Sequence, residues 1–497
     1  MTRPSPGGHI LAIDQGTTGT HSLLFDERGR VVGRGYKPFR QYFPQPGWVE
    51  HDPEEIWKSC LDVIGQALRG QRVKIAAIGI TNQRETTILW DRKTGKPVHR
   101  AIVWQDRRTA PDCARLRKAG ALAEVRRRTG LLLDPYFSGT KLAWLLREVP
   151  GARTAAHAGR LAFGTIDTWL IWKLTGGRAH VTDPTNASRT LCFNLARREW
   201  DDSMLRLLGV PRAVLPEVRP SAGEFGKTVS LGVLPAGVPV TGVAGDQQAA
   251  LFGQGCVRPG EMKVTYGTGG FLLLQTGPRL VRSRAGLLTT VACGPAGEAT
   301  YALEGSVFIA GAVIQWLRDE LKLISSAAES EAVARSVPDT AGVHLVPAFT
   351  GLGAPWWDAA ARGTITGLTR GAGRAHLVRA ALESIAFQVA DVVDAMRRDL
   401  GRPIRALRVD GGACANGLLM QFQSDLVDAA LVRPKLIETT AAGAAGLAGI
   451  GARLWTPSDL ARLRPVDRVF RPHMGAVERR VRLGGWHLAV ARARLAG

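Results

Sequence analysis

Leu11-Ala12-Ile13-Asp14-Gln15-Gly16-Thr17-Thr18-Gly19-Thr20-His21-Ser22-Leu23-Leu24-Phe25 decides the fold. It reads as an apolar strand, a tight turn and a second apolar strand. Gly16 and Gly19 let the backbone bend where a Cβ would clash. A turn bent in this way aims its N–H groups, with the hydroxyls of Thr17 and Thr18, at a single point, which suits an anion and a phosphate above all. Asp14 closes the first strand, where a carboxylate can hold a cation beside that phosphate. Taken alone, the stretch reads more readily as a plain hairpin with a polar turn; the rest of the chain changes that. The second half of the chain repeats it: Glu261 to Tyr266 is a strand, Gly267-Thr268-Gly269-Gly270 a turn, and Phe271 to Gln275 a strand. Two such tips facing across a cleft could grip one polyphosphate from both sides. The chain therefore reads as a duplicated architecture with weak internal symmetry.

With 497 residues the chain can hold two domains with sizeable cores, and 58 glycines beside only 6% aromatics suit a glycine-rich α/β enzyme. No apolar run reaches the ~18 residues that a membrane span needs, and Met1 to His9 has no apolar signal segment. Six scattered cysteines without a CxxC pair argue against a disulfide framework or zinc site and for a cytoplasmic location. A net charge of +22 raises the question of nucleic acid. The basic residues are mostly arginines spread over helical patterns, with no long run or aromatic interleaving. A generally basic surface is the better reading; it could attract nucleotides, and no specific nucleic-acid partner or membrane insertion is expected.

Asp52-Pro53-Glu54-Glu55 opens a helix that carries Ile56, Cys60, Ile64 and Leu68 on one face. Lys74 to Thr81 is a buried strand, and Ile88-Leu89-Trp90 is expected to pair, through a turn over Asp91 to Pro97, with Ala101 to Asp106. Val238 to Ala244 is a strand, Gly245 to Gln248 a turn, and a helix starts at Ala249. The polar Gly253-to-Gly260 stretch places the domain boundary, giving domains 1–253 and 254–497. The second half continues with an expected long helix from Ser306 to about Leu323 and another from Arg374 to Leu400. Leu407 to Ala413 then runs from strand into a glycine turn before a helix at Asn416, where a ligand can approach the backbone and a helix N-terminus.

No Walker A loop, HExxH or GxSxG is present; Ser221 stands where the first glycine of a P-loop ending at Gly226-Lys227-Thr228 would fall. The chemistry is distributed over Asp14–Thr18, Pro46–Asp52, Gly79–Thr87, Asp134–Lys141, Thr182–Arg189, Gly245–Phe252, Tyr266–Gly269, Ala302–Gly305 and Asp410–Ala413. In this order, over nearly the whole chain, these stretches resemble the FGGY family of carbohydrate kinases, and within it the members that act on glycerol.

The resemblance implies an α/β fold of actin/hexokinase-like (ribonuclease H-like) type, two domains around a central cleft, with glycerol low in the cleft and MgATP above it. The implied activity is ATP-dependent phosphorylation of glycerol to sn-glycerol 3-phosphate, by a homo-oligomer (dimer or tetramer). Asp246 would be the base. Arg84, Glu85, Tyr136 and Gln247 would hold the hydroxyls, and Trp104 and Phe271 would wall the carbon skeleton. Thr17, Thr18, Gly19 and Thr268 would contact phosphates. Gly311, Gln315, Gly412 and Asn416 would line the nucleotide site, and Asp14 would organise Mg2+. Where the family usually carries an arginine, this chain has His21, charged only in part near neutral pH, so weaker phosphate stabilisation or a more acidic optimum is expected. The Leu231-to-Val238 segment lacks the Gly-Thr-Arg through which some relatives bind fructose 1,6-bisphosphate, so that regulation is not expected. Two other readings remain: an FGGY kinase for another polyol, and a binding or regulatory homologue that has lost turnover.

Overall fold

The computed structural model describes residues 8–495, and for Arg462 and Leu463 the backbone alone. The stretch Met1 to Gly7, part of the segment read as lacking a signal, lies outside the described residues. Two mixed sheets carry the molecule. The N-terminal sheet has six strands in the spatial order Ala222–Lys227, Pro239–Gly245, Ile75–Asn82, His9–Gln15, Gly19–Phe25 and Val31–Pro38. The C-terminal sheet has seven: Leu288–Cys293, Ala299–Val307, Gly270–Gly277, Met262–Tyr266, Ala406–Asp410, Ala430–Pro434 and Val466–Phe470.

The internal symmetry read from the two hairpins extends to whole sheets. In each, the first hairpin strand pairs antiparallel with the second and parallel with a strand that arrives much later in the chain. That later strand has a further parallel neighbour, which is edged by an antiparallel one. The C-terminal sheet adds Leu288–Cys293 beyond Ala299–Val307. The central strands are nearly continuous apolar runs because helices cover both faces. Arg374–Leu400 lies against the C-terminal sheet, burying Val378, Ile385, Val389 and Val393 along one side.

Helix Thr439–Gly451, built almost wholly of small residues, packs on the N-terminal sheet and on helix Asp246–Gly253. A Cβ on Gly443 would come 1.9 Å from the Ala249 carbonyl oxygen, so the two helix backbones touch directly. Arg464 then donates to the carbonyls of Phe252 and Gly253, covering the C-terminal end of Asp246–Gly253 with positive charge.

Three expectations are corrected. Ile88–Asp91 pairs with Leu161–Gly164, and Ala101–Ile102 with Glu50–His51; only the isolated bridges Thr87 to Ile102 and Trp90 to Pro97 remain of the expected hairpin. Ser306 lies in strand Ala299–Val307, and the helix after it is Gly311–Asp319. Gly245 to Gln248 is not a turn: Gly245 caps a helix that already includes Asp246. All six cysteines are buried and free. Among the described residues no helix is long and apolar enough to cross a membrane.

Candidate active site

The strand ends of the N-terminal sheet put a row of side chains on its cleft face. Asp14, His21 and Tyr36 stand opposite one another in register, with Thr81 on the other side of Asp14. Burial, then the charge of Asp246, push the Asp14 carboxyl up to about 7. His21 packs against Tyr36 with ring centroids 4.4 Å apart and planes tilted by 36°. Partial burial lowers its pKa, against the pull of Glu438, so the imidazole carries little charge at neutral pH.

The N-terminal tip turns on a bond from Gly16 N to Gly19 O of 3.0 Å. Five side chains brace it, the first being Gln15, whose own Nε2 donates to the Gly16 carbonyl at 2.7 Å. Gln83 Nε2 donates to Gln15 Oε1 (3.0 Å) and to the Gly16 carbonyl (3.1 Å), while Gln41 Nε2 donates to the Thr17 carbonyl (3.0 Å). His51 joins the two amides: Nε2 lies 2.6 Å from Gln41 Oε1 and Nδ1 lies 3.4 Å from Gln83 Nε2. Those partners require a neutral ring protonated on Nε2, in keeping with burial that pushes the His51 pKa down to about 3. Trp104 Nε1 donates to Thr17 Oγ1 at 2.9 Å. Thr18 is left exposed at the apex.

The C-terminal tip has the same turn, Gly267 N to Gly269 O at 2.9 Å, and Thr268 is exposed at its apex. Backbone fastens it: Ala310 N and Ala312 N donate to the Thr268 carbonyl at 2.8 and 3.1 Å, and Gly311 N to the Gly267 carbonyl at 2.9 Å. A Cβ on Gly311 would sit 2.6 Å from that carbonyl oxygen. Gln315 lies one turn further along the helix, exposed. On the other side, Thr265 is in register with Asp410, and Gly411 follows with φ +87°. A Cβ there would meet the Tyr266 carbonyl oxygen at 2.3 Å, whereas Gly412 faces open space. Asn416 caps helix Gly417–Val427 by accepting from Leu419 N, and Glu331 accepts from Gly417 N and Leu418 N.

Below the tips lies a buried ionic network that spans both lobes. Arg84 donates from Nη1 and Nη2 to the two carboxylate oxygens of Glu304 at 2.8 and 2.9 Å, and its Nε stands 3.2 Å from Asp246 Oδ1. Arg189 bonds Glu85 at 2.6 Å and Glu304 at 3.1 Å. Burial works to raise the Glu304 pKa, but Arg189 and Arg84 overcome it and hold it at about 2. Glu85 adopts φ +59°, a conformation uncommon outside glycine, and its carbonyl is held by the hydroxyls of Ser138 and Thr87. The Tyr136 hydroxyl is 3.4 Å from Arg84 Nη2, and buried Lys141 pins that loop through the carbonyls of Pro135 and Tyr136. Trp104 stands edge-on to Tyr136 at 5.5 Å and to Phe271 at 6.4 Å, so the wall of the cleft takes rings from both lobes. Asp246 remains partly open, its side chain 29% exposed.

The sequence-predicted residues Arg84, Glu85, Trp104, Tyr136, Asp246 and Phe271 thus meet in one place, with Thr17 linked to them through Trp104. Gly311 abuts the second tip, and Gly412 and Asn416 lie on the loop beside it. The side chain of Gln247 makes no bond to this group; its carbonyl oxygen accepts from Lys263. Sequence reasoning missed Glu304 and Arg189. Both lie inside motifs that it quoted, but the ion pairs that make them matter join residues more than a hundred positions apart.

The family model for the N-terminal domain of the FGGY family of carbohydrate kinases matches residues 9–253, and that for the C-terminal domain matches 262–452. A glycerol kinase of Symbiobacterium thermophilum is 56% identical over 491 residues, covering 98% of each chain. Glycerol kinase 2 of Pseudomonas aeruginosa is 55% identical over 498 residues, covering 99% of each. Among solved structures, Plasmodium falciparum glycerol kinase with ADP superposes with a TM-score of 0.93 at 38% identity, covering 98% of each chain. A gluconate kinase of Lactobacillus acidophilus, 23% identical with a TM-score of 0.87 over 98% of each chain, shares the fold. Two sheets of one topology, a cleft lined from both and family matches that together span most of the chain lead to one conclusion: the chain belongs to the FGGY family of carbohydrate kinases.

Proposed function

We propose that this chain transfers the γ-phosphoryl group of ATP to a terminal hydroxyl of glycerol, giving sn-glycerol 3-phosphate and ADP. The observation that carries the reading is the polar corner at Asp246. Its Oδ1 lies 3.2 Å from Arg84 Nε, in a slot walled by Trp104 of one lobe and Phe271 of the other, 6.4 Å apart. A triol offers three hydroxyls that both donate and accept, and a guanidinium beside carboxylates answers both needs. Asp246 accepts the proton of the attacking hydroxyl, while Arg84, Glu85 and Tyr136 hold the other two. Thr17, Thr18, Gly19 and Thr268 receive the phosphates, with His21 beside them. Gly311, Gln315, Gly412 and Asn416 face the nucleoside end. Phosphoryl transfer asks the protein mainly for placement, charge stabilisation and exclusion of water, and two tips from two lobes serve all three.

The carboxyls fit a Mg2+ ion. Asp14 has its pKa raised to about 7 by burial and then by Asp246, a strain that a cation would relieve. No group of three or more metal-binding side chains occurs among the described residues, so Asp14 would hold the ion together with phosphate oxygens and water. Held by Asp14, the ion would supply charge neutralisation to the phosphates.

The test is ADP release by purified protein with glycerol and a panel of other polyols. Glycerol is expected to be turned over best, and Asp246→Asn to lower kcat by about 10²–10⁴-fold. Faster turnover of another polyol would reassign the substrate. MgATP binding without glycerol-dependent ADP release would make the chain a binding homologue.

A further inference from the structure

Lys263 lies in strand Met262–Tyr266 at the centre of the C-terminal sheet, fully buried, and has had no part in the mechanism so far. Its ammonium donates across the lobes to Gln247 Oε1, the residue next to Asp246, and within its own strand to Thr265 Oγ1 at 2.7 Å. Around it are Asp410 on the neighbouring strand, Asp246 on the facing helix, Arg84 on the loop after Ile75–Asn82, and Glu304 on Ala299–Val307. Arg408 is its partner in register. Burial pushes its pKa down to about 8, so the ammonium form prevails at neutral pH.

A lysine ammonium has donors and no acceptor. The atom of Gln247 that meets it must therefore be the carbonyl oxygen, which settles an amide orientation that is otherwise ambiguous. The NH2 end of Gln247 is then turned away from Lys263 and remains available as a donor. The same logic acts on Thr265: its oxygen accepts from Lys263, so its hydroxyl proton is free to donate elsewhere. Thr265 stands two residues before the tip glycine Gly267, as Asp14 stands two residues before Gly16. One lobe thus brings a carboxylate to the base of its tip and the other a hydroxyl donor backed by a buried cation.

We propose that Lys263 is a positioning residue that turns Gln247 and Thr265 outward as hydrogen-bond donors, Gln247 towards a hydroxyl oxygen of the alcohol substrate. This rests on the reading of the cleft as a glycerol site. Lys263→Met keeps the apolar stem of the side chain and removes the cation. In steady-state assays it is expected to raise the glycerol KM at least tenfold and to leave the ATP KM within about twofold, and Lys263→Arg is expected to recover part of the loss. A glycerol KM within twofold of the unaltered protein, or an equal rise in both KM values, overturns the proposal. Where Lys263→Met fails to fold, Gln247→Glu decides: its carboxylate keeps the bond to Lys263 but has no N–H to offer. It is expected to match the unaltered protein in thermal stability and to raise the glycerol KM at least tenfold; an unchanged KM overturns the proposal. Absence of glycerol turnover in the unaltered protein overturns both this proposal and the function it rests on, whereas turnover insensitive to these changes overturns the proposal alone.

Discussion

The two glycine-threonine tips share a turn, and their fastenings differ. At the N-terminal tip, Gln41 and Gln83 reach the carbonyls of Thr17 and Gly16, His51 locks both amides, and Trp104 holds the Thr17 hydroxyl. At the C-terminal tip the fastenings are backbone N–H groups of Ala310, Gly311 and Ala312, and glycines at 311 and 411 allow the close approach. The first arrangement is open to single side-chain changes. The second is immune to most of them and intolerant of a single added methyl group. That contrast teaches where each tip can be tuned: the first by polar substitution, the second hardly at all.

The largest effect is therefore expected at the second tip. Gly411→Ala places a methyl group 2.3 Å from the Tyr266 carbonyl oxygen at φ +87°, and neither backbone can yield without moving Thr268. A cost of about 2–4 kcal/mol in stability is expected, with a fall of about a hundredfold in kcat/KM for ATP. Thermal melting and initial rates check both, and a rate near that of the unaltered protein would break the idea of a rigid tip. At the first tip the loss is smaller and specific. Gln83→Met leaves Gln15 Oε1 without its donor and the Gly16 carbonyl with the bond from Gln15 Nε2 alone, a cost of about 1–3 kcal/mol. The ATP KM is expected to rise about tenfold and the glycerol KM to stay within about twofold.

His51 gives the first tip a pH dependence that the second lacks. Its pKa is about 3 in the folded chain and near 6.5 unfolded. The unfolded chain therefore binds the extra proton throughout that window, and stability present above pH 6.5 is lost as the pH falls towards 3. Asp14 acts in the opposite sense between 3.8 and about 7, and His180, lowered to about 4, in the same sense as His51. The difference between His51→Gln and the unaltered protein isolates one residue. On going from pH 7.5 to pH 5 in denaturant titrations, the variant should lose about 1–2 kcal/mol less.

Much of this was legible in the sequence wherever local pattern and tertiary structure agree. Arg374–Leu400 was readable, its start approximately, because its apolar positions recur at helical spacing; in the structure Gly401 ends it in a left-handed conformation. Both tip hairpins were readable from glycine and threonine placed between apolar strands. The misreading at Ser306 has a physical cause. From Ser306 to Leu317 the chain is almost continuously apolar, and composition cannot tell that Val307 pairs with Gly270 while a helix begins only at Gly311. The expected hairpin after Ile88 failed because Leu161–Gly164 competes for the same edge. At the site, motifs located Arg84, Glu85 and Asp246, but nothing local marks Glu304 as the partner of Arg84 across 220 positions. Lys263, in an apolar strand, looks like any solvent-facing lysine until the facing helix is in place.

The smallest effect expected concerns His21, in the first tip's row. His21 lies directly opposite Asp14 and packs against Tyr36, and at pH 8 it is largely uncharged, partial burial moving its pKa further down. His21→Arg adds a permanent charge at a half-open site, where a neighbouring phosphate gains about 0.5–1 kcal/mol at moderate ionic strength. That corresponds to a rise in kcat/KM for ATP of about two- to fivefold at pH 8. Near pH 5.5 a growing share of His21 is protonated and supplies the same charge, so the gap between the two proteins should narrow. A gain of equal size at both pH values would mean that arginine acts through shape or through Glu438, whose side chain pairs with Arg34 within reach of the imidazole. No gain at either pH would mean that the first tip stabilises phosphate through its backbone and hydroxyls alone. The two tips would then match in function as they do in turn geometry, leaving their fastenings as the sole difference between them.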